Sequence, residues 1–314
     1  CERIGSPVTR SDLERYRANE RAPLSTTIKG ATIYNCPPPT QGLASLIILG
    51  LFDRLNARGA GSFEHLHGLV EATKRAFRIR DQVVTDFDRL TRDPQRYLAR
   101  DWLDREAAEI SMTKAAPFPM APDKGDTIWM GAIDKDGLAV SYIQSIYWEY
   151  GSGCVLPRTG VLLQNRGVSF SLDPSALNPL QPGRRPFHTL NPPLAVFDDG
   201  RVAVYGAMGG DGQPQFQAQI FSRWAMMGQT PAEAVDAPRF LLGKTWGSAD
   251  LSLKLESRID DGVAGRLEQV GQIVDRRPQA YADEFGHCGI VVKHPRGHVE
   301  AVHDPRSDGG GAGI

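Results

Sequence analysis

A chain of 314 residues can bury a large core and permits either one big domain or two modest ones. Its 41% hydrophobic and 23% charged content is that of a folded globular protein, which excludes disorder as the main state. The formal net charge of -1, with acids and bases mixed along the chain, offers no field for a phosphate backbone and excludes nucleic acid as an expected partner.

The opening CERIGSPVTR lacks the basic, apolar and cleavage regions of a secretory leader. Thr9 or Ser11 can cap a helix over DLERYR, and STTIKGATIYN alternates as one strand. PPPTQ stops the chain and restarts it as a helix over GLASLIILGLFDRL. The longest apolar run, residues 43–52, lies in that helix; Ser45 and Gly50 interrupt it, so it suits a buried helix and no membrane span is expected. Leu66, Leu69, Val70, Thr73 and Phe77 recur at helical spacing in EHLHGLVEATKRAFRIRD, and a further helix fits QRYLARDWLDREAAEI. The polar, proline-bearing SMTKAAPFPMAPDKGD reads as an exposed connector.

From Thr127 onward the composition changes to short β-rich runs and tight turns. TIWMGAI and LAVSYIQSIY flank DKDG, PPLAVF and RVAVYGAM flank DDG, and CGIVVK and HVEAVH flank HPRG, each reading as a hairpin. PQFQAQIFSRWAMMG and TPAEAVDAPRF read as helices, the second capped by Thr230 with Pro231 at its first position. Hairpins segregated from helices predict an α+β fold, with layers of antiparallel sheet covered by helices. Cys1, Cys36, Cys154 and Cys288 show no paired spacing, so free thiols in a reducing compartment, the cytoplasm, are expected.

G-x-S-x-G, H-E-x-x-H and P-loop signatures are absent, and DKDG at 134–137 lacks the later ligands of a calcium loop. His287, Cys288, His294, His298 and His303 gather near the end of the sequence. On strands their side chains would alternate between faces, and the spacing fits no zinc pattern, so neither a metal site nor a cofactor is expected. A threonine that opens a strand directly after a connector is more informative. Many threonines open strands for structural reasons alone. Freed as a chain terminus, however, Thr127 would combine a nucleophilic hydroxyl with an α-amine base of pKa about 7.7 to 8.0.

GDTIWMGAIDKDGLAVSYIQS, YGSG, TGVLLQN, RRPFHTLNPPLAVFDDG, GAMGGDGQPQ, EAVDAPRF and DPRS resemble, in order and spacing, the small subunit of the γ-glutamyltranspeptidases. Upstream, GSPVTRSDLERYR, PPPTQG and LVEATKRAFRIRD resemble the end of that family's large subunit. The resemblance implies a four-layer αββα N-terminal-nucleophile hydrolase sandwich made by self-cleavage between Asp126 and Thr127. Residues 1–126 would then be the mainly helical end of the large subunit and 127–314 the catalytic small subunit, with stacked antiparallel sheets and helices. Family members begin well before GSPVTR, so the sandwich is expected to be incomplete. The remainder of the large subunit, which carries an arginine used for substrate carboxylates, is an implied partner, and a homo-oligomer is compatible with the family.

Residue by residue, the resemblance makes Thr127 the nucleophile and Ser145 the hydroxyl that orients it, a position that could equally be a polar residue on an alternating strand. It makes Gly209 and Gly210 the pair whose N–H groups form an oxyanion hole, a role compatible with a tight turn. Ser169 stands where the family grips a glutamyl ammonium with an acid, which argues against that substrate. Arg166 replaces a neutral amide residue and could hold a carboxylate through two hydrogen bonds. His188 and Thr189 take the place of paired serines beside the substrate carboxylate, and Tyr147 that of an asparagine. Together with Trp129 and Trp148, Tyr147 would narrow the pocket or belong to the core. The lid segment between SFSL and RRP is short.

These departures resemble the subgroup that includes the oxamate amidohydrolases, whose substrate is a small amide with a carboxylate and no amine. The function implied is a self-processing hydrolase of such an amide through a Thr127 acyl-enzyme. The alternatives are a γ-glutamyltransferase or glutathione hydrolase, a glutaryl-type acylase, or an unprocessed homologue with a binding or structural role.

Overall fold

The computed structural model describes residues 5–118, 126–244 and 250–313; Cys1 and part of the predicted connector, 119–125, lie outside them. Thr9 caps α1 (Arg10–Arg15) through a reciprocal box with Asp12. STTIKGATIYN, expected as one strand, is a hairpin of β1 (Leu24–Ile28) and β2 (Ala31–Asn35). Lys29 and Gly30 make its two-residue turn, with Gly30 in the left-handed region at φ 83°. The expected helices follow as α2 (Gly42–Arg54) and α3 (Phe63–Val83). The next helix is broken: a 3-10 turn (Pro94–Leu98) ends at extended Ala99, and α4 (Arg100–Ala108) restarts after it.

All three predicted hairpins are present. β3 (Asp126–Ile133) pairs with β4 (Ala139–Tyr147), and β5 (Leu194–Phe197) with β6 (Val202–Ala207). α5 (Gln213–Phe221) runs into a π turn (Ser222–Met226), and Thr230 caps α6 (Pro231–Asp236) with Glu233 completing the box. A small sheet that the sequence reading missed follows, β7 (Phe240–Leu242), β8 (Leu253–Leu255) and β9 (Val274–Arg276), with α7 (Asp261–Gln269) between the last two. The third hairpin, β10 (Cys288–Lys293) and β11 (Val299–His303), closes the chain.

Six strands form the main antiparallel sheet in the order β1-β2-β5-β6-β10-β11. It draws β1 and β2 from before Thr127 and four strands from after it. Alternation along β6 sorts its two faces. Ala203, Tyr205 and Ala207 face the helices, Tyr205 meeting Phe221 of α5 at 4.8 Å between ring centroids. α2 is buried all along residues 42–52 because it lies between the sheet, α3 and α5. Polar residues on α5 are buried with partners: Gln215 and Gln219, one turn apart, each exchange two hydrogen bonds with the backbone of Leu242 and Phe240, the edge of β7.

The opposite face of the sheet carries Val204, Gly206 and Gly289, and the β3–β4 hairpin packs there through Trp129. Gly206 and Gly289 are cross-strand partners and form the floor under the indole. A Cβ on Gly206 would lie 2.1 Å from Trp129 Cδ1. Gly206→Ala should therefore destabilise the fold by about 1–3 kcal/mol through overpacking, with part of the loss recovered in a Trp129→Leu background. Denaturant midpoints of the two single variants and the double variant measure the coupling.

The α+β sandwich expected from the sequence is thus built as helices, sheet and hairpin. Among the described residues the hairpin stands where a second sheet was expected. Its outer face presents Ile128, Met130, Val140 and Tyr142 to solvent. No helix among the described residues is long and apolar enough to cross a membrane.

Candidate active site

Thr127 sits at a β-bulge. Ile128 pairs with Gln144 and Asp126 with Tyr147, so Ser145 and Ile146 together oppose the single residue Thr127. Tyr147, just past the bulge, takes a left-handed φ of 77°. Thr127 Oγ1 donates a hydrogen bond to Ser145 Oγ at 3.1 Å, and the Tyr147 N–H donates to the same oxygen at 2.9 Å. The backbone thereby fixes the serine that fixes the threonine, which is the arrangement an oriented nucleophile requires.

Tyr147 leads into the second part of the cluster. Its buried ring lies under the Arg166 guanidinium, 3.7 Å from centroid to Cζ, close enough for a cation–π contact. Arg166 is 1% exposed on a 3-10 turn (Arg166–Ser169), where Nη1 donates to Ser169 Oγ at 3.2 Å and Nη2 donates to Thr189 Oγ1. The residues brought forward for substrate binding therefore converge on one cation. His188 is held beside them, its N–H donating to the Pro39 carbonyl at 2.8 Å.

Gly209 and Gly210 follow β6 with left-handed φ values of 120° and 53°. Glycine is required at 209, where a Cβ would come within 2.7 Å of Phe216 Cε2. Gln41, wholly buried at the start of α2, ties this loop to the substrate-binding segment. Its Nε2 donates to the carbonyls of Gly210 and Thr189, both at 2.8 Å. Arg80 of α3 in turn donates to Gln41 Oε1 at 3.0 Å and to the Asp211 carboxylate. Thr127, Ser145, Tyr147, Arg166, Thr189, Gln41 and Gly210 thus form an unbroken series of contacts.

The profile of the family described as Gamma-glutamyltranspeptidase matches residues 1–314. The chain belongs to the γ-glutamyltranspeptidase family. The Oxamate amidohydrolase proenzyme of Klebsiella pneumoniae subsp. pneumoniae is 48% identical over 310 residues, which cover 99% of this chain and 58% of that protein. The Glutathione hydrolase-like YwrD proenzyme of Bacillus subtilis is 36% identical over 312 residues, covering 99% and 59%. Among solved structures, the cephalosporin acylase from Bacillus halodurans superposes with a TM-score of 0.85 at 30% identity, covering 98% of this chain and 55% of that one. The chain spans little more than half the length of these relatives.

The motifs PPPTQG, RIRD and GGDG contain three further residues of this network, Gln41, Arg80 and Asp211, to which residue type and spacing alone assign no role. Helical periodicity identifies Arg80 as part of α3 but does not reveal that its charge is buried. The signal lay in the pairing of a basic residue in one motif with an acid beside the glycine pair in another.

His188 gives this cluster a pH signature. Burial, and secondarily the Arg166 charge, push its imidazole down from 6.5 to about 3. The ring is therefore neutral in the fold, while the unfolded chain takes up the proton below about pH 6.5. Stability is intact above that pH and falls as pH drops from 6.5 toward 3, at about 1.4 kcal/mol per pH unit for this group. Buried His65 is shifted in the same direction. Urea midpoints across this window should decline less steeply in His188→Gln.

The histidine-rich end of the chain corrects the sequence reading. His287, Cys288 and His303 diverge as expected, to Asp283, Arg239 and Ser307, but His294 and His298 are directly opposite across the β10–β11 turn, and Glu300 follows on the same face. Alternation along one strand does not express the register between two.

Proposed function

We propose that this chain carries the catalytic part of a self-processing amidohydrolase that acts on a small carboxylate-bearing amide of the oxamate type. The observation that carries the reading is the Thr127–Ser145 hydrogen bond at the bulge, on a residue that the sequence places directly after a connector. Residues 1–126 would be the end of the large subunit and 127–314 the small one.

In the precursor, Thr127 Oγ attacks the Asp126 carbonyl carbon. The C–N bond breaks, an ester to Oγ forms and the Thr127 amine is freed. Water then hydrolyses the ester and leaves an Asp126 carboxylate. In the mature protein the α-amine takes the Oγ proton as Oγ attacks the substrate amide, and the Gly209 and Gly210 N–H groups face the developing oxyanion. Collapse returns the proton to the leaving nitrogen and releases ammonia. Water, deprotonated by the same amine, resolves the acyl-enzyme.

Arg166, Thr189 and neutral His188 bring together a charge and donors suited to a carboxylate, which would bind by taking the place of Ser169 or Thr189 on the guanidinium. Ser169 offers Arg166 a hydroxyl and supplies no anion for a glutamyl ammonium. The name of the relative at 48% identity agrees with this preference. Ammonia release by the full-length protein should favour oxamate over hydrolysis of a γ-glutamyl anilide; the reverse order would return the chain to the glutathione hydrolase reading. Arg166→Met should lower kcat/KM for oxamate about 10- to 100-fold, the worth of a charged hydrogen bond, and an unchanged value would remove Arg166 from the substrate site.

The exposed apolar stripe of Ile128, Met130, Val140 and Tyr142 is where we place the remainder of the large subunit. The free thiols of Cys36, Cys154 and Cys288 favour the cytoplasm as the compartment.

A further inference from the structure

We propose that the β10–β11 hairpin carries a site for a divalent ion of the zinc class, formed by His294, His298 and Glu300. It lies outside the catalytic cluster, and its argument starts from register. Lys293 pairs with Val299 and Val292 with Glu300, and the His294 N–H donates to the His298 carbonyl at 2.9 Å. His294 and His298 are therefore a cross-strand pair, with Glu300 one step along on the same face.

The side chains use that placement. Their ligand atoms lie within 4.8 Å of one another, and the two imidazoles are stacked with centroids 4.1 Å apart. His294 Nε2 is shut off from water and has no hydrogen-bond partner, its carboxylate neighbour Glu300 Oε2 standing at 3.5 Å. A buried ring nitrogen left in that state calls for an acceptor or an ion. Two imidazoles and one carboxylate are the donors that suit zinc, cobalt or nickel, and three protein ligands leave a fourth position for water. Bonds of about 2.0–2.2 Å need donor separations of about 3.4 Å, reached by tilting the two stacked rings so that their donor nitrogens close toward a common point.

The surroundings are compatible with a cation. The turn that holds Asp198 and Asp199 abuts this one, a Cβ on Gly200 falling 3.4 Å from Pro295 Cγ. Lys293 directs its ammonium away, to the Lys135 carbonyl at 3.2 Å. Two cations oppose the ion: Arg296 in the turn, and Arg201, which follows opposite His294 in the β6–β10 register and is paired with Asp199 at 2.8 Å. β6 pairs Val202 with Lys293 at this end and Ala207 with Cys288 at the end that leads to Gly209. The ion would thus sit about 17 Å along the strands from the catalytic loop, where it fastens the turn and takes no part in amide hydrolysis.

The test is to titrate untagged protein with zinc chloride by calorimetry and to count the zinc retained after gel filtration. The expected result is one ion per chain with a micromolar dissociation constant. His298→Ala and Glu300→Gln should each weaken binding by more than the roughly 10- to 100-fold that loss of an outer-shell partner costs, while turnover stays unchanged. His298 is exposed, so its variant should fold. The absence of saturable binding, or equal binding by His294→Ala/His298→Ala, would overturn the proposal.

Discussion

Alanine at position 127 is expected to leave the full-length protein as one uncut polypeptide and to lower amide hydrolysis on the order of 10⁴-fold or more. Both effects follow from one atom. In the proposed mechanism Oγ1 is the group that attacks the Asp126 carbonyl, and it is also the group that later carries the acyl fragment. Thr127→Ser keeps a hydroxyl opposite Ser145 and should retain cutting at a reduced rate. Intact mass before and after incubation reads the first effect, and ammonia release from oxamate reads the second. Should the alanine variant be cut and turn over normally, Thr127 is an ordinary strand residue and the assignment of nucleophile fails.

The second large effect is expected at Arg80, remote from the reacting atoms. Its guanidinium is buried, donates to Gln41 and to Asp211, and lies over the Phe77 ring at 4.0 Å. Burial is the largest single influence and disfavours the charge, but the Asp211 and Asp81 carboxylates together outweigh it and raise the pKa. Arg80→Met keeps most of the volume but leaves the Asp211 carboxylate buried with its partner removed, a change that costs about 3–5 kcal/mol in stability. Gln41 also loses the donor that orients it, and with it the Gly210 carbonyl loses its anchor. The fall in kcat should therefore exceed any rise in KM, by about 100-fold if one oxyanion donor is displaced. Urea melts and steady-state kinetics on the same preparation separate the two effects. An unchanged kcat in a destabilised variant would make Arg80 a purely structural residue.

The sequence was most informative where local chemistry decides the outcome. Thr9 and Thr230 form the capping boxes their neighbours allow, and three hairpins fold around the turns read for them. The reading failed where partners distant in sequence decide. β7, β8 and β9 are three residues each, too short to display a period, and β8 finds β9 only across α7. The glutamines of α5 break its apolar pattern, yet they are buried because the edge of β7 satisfies Gln215 and Gln219, and Ser45 and Asn191 satisfy Gln217.

The site divides in the same way. Ordered motifs single out Thr127, Ser145, the glycine pair and the Arg166 group, and the structure sets Thr127 against Ser145 and Arg166 against Ser169 and Thr189. Gln41, Arg80 and Asp211 are not singled out, since a glutamine in a proline-rich turn and an arginine on a helix usually face water. Their role arises where α2, α3 and the loop after β6 meet. The convergence of His294, His298 and Glu300 likewise depends on a pairing between strands that spacing within one strand does not express.

The main sheet has a further consequence. β2 is hydrogen-bonded to β5 through four residue pairs, and α2 lies wedged against α3 and α5, so the chain before Thr127 and the chain after it interlock. Severing the Asp126–Thr127 link should accordingly yield two polypeptides that travel together on dilution and come apart only in denaturant. The scission would alter chemistry at one terminus while leaving the architecture whole, much as a keystone can be recut in place without dismantling its arch.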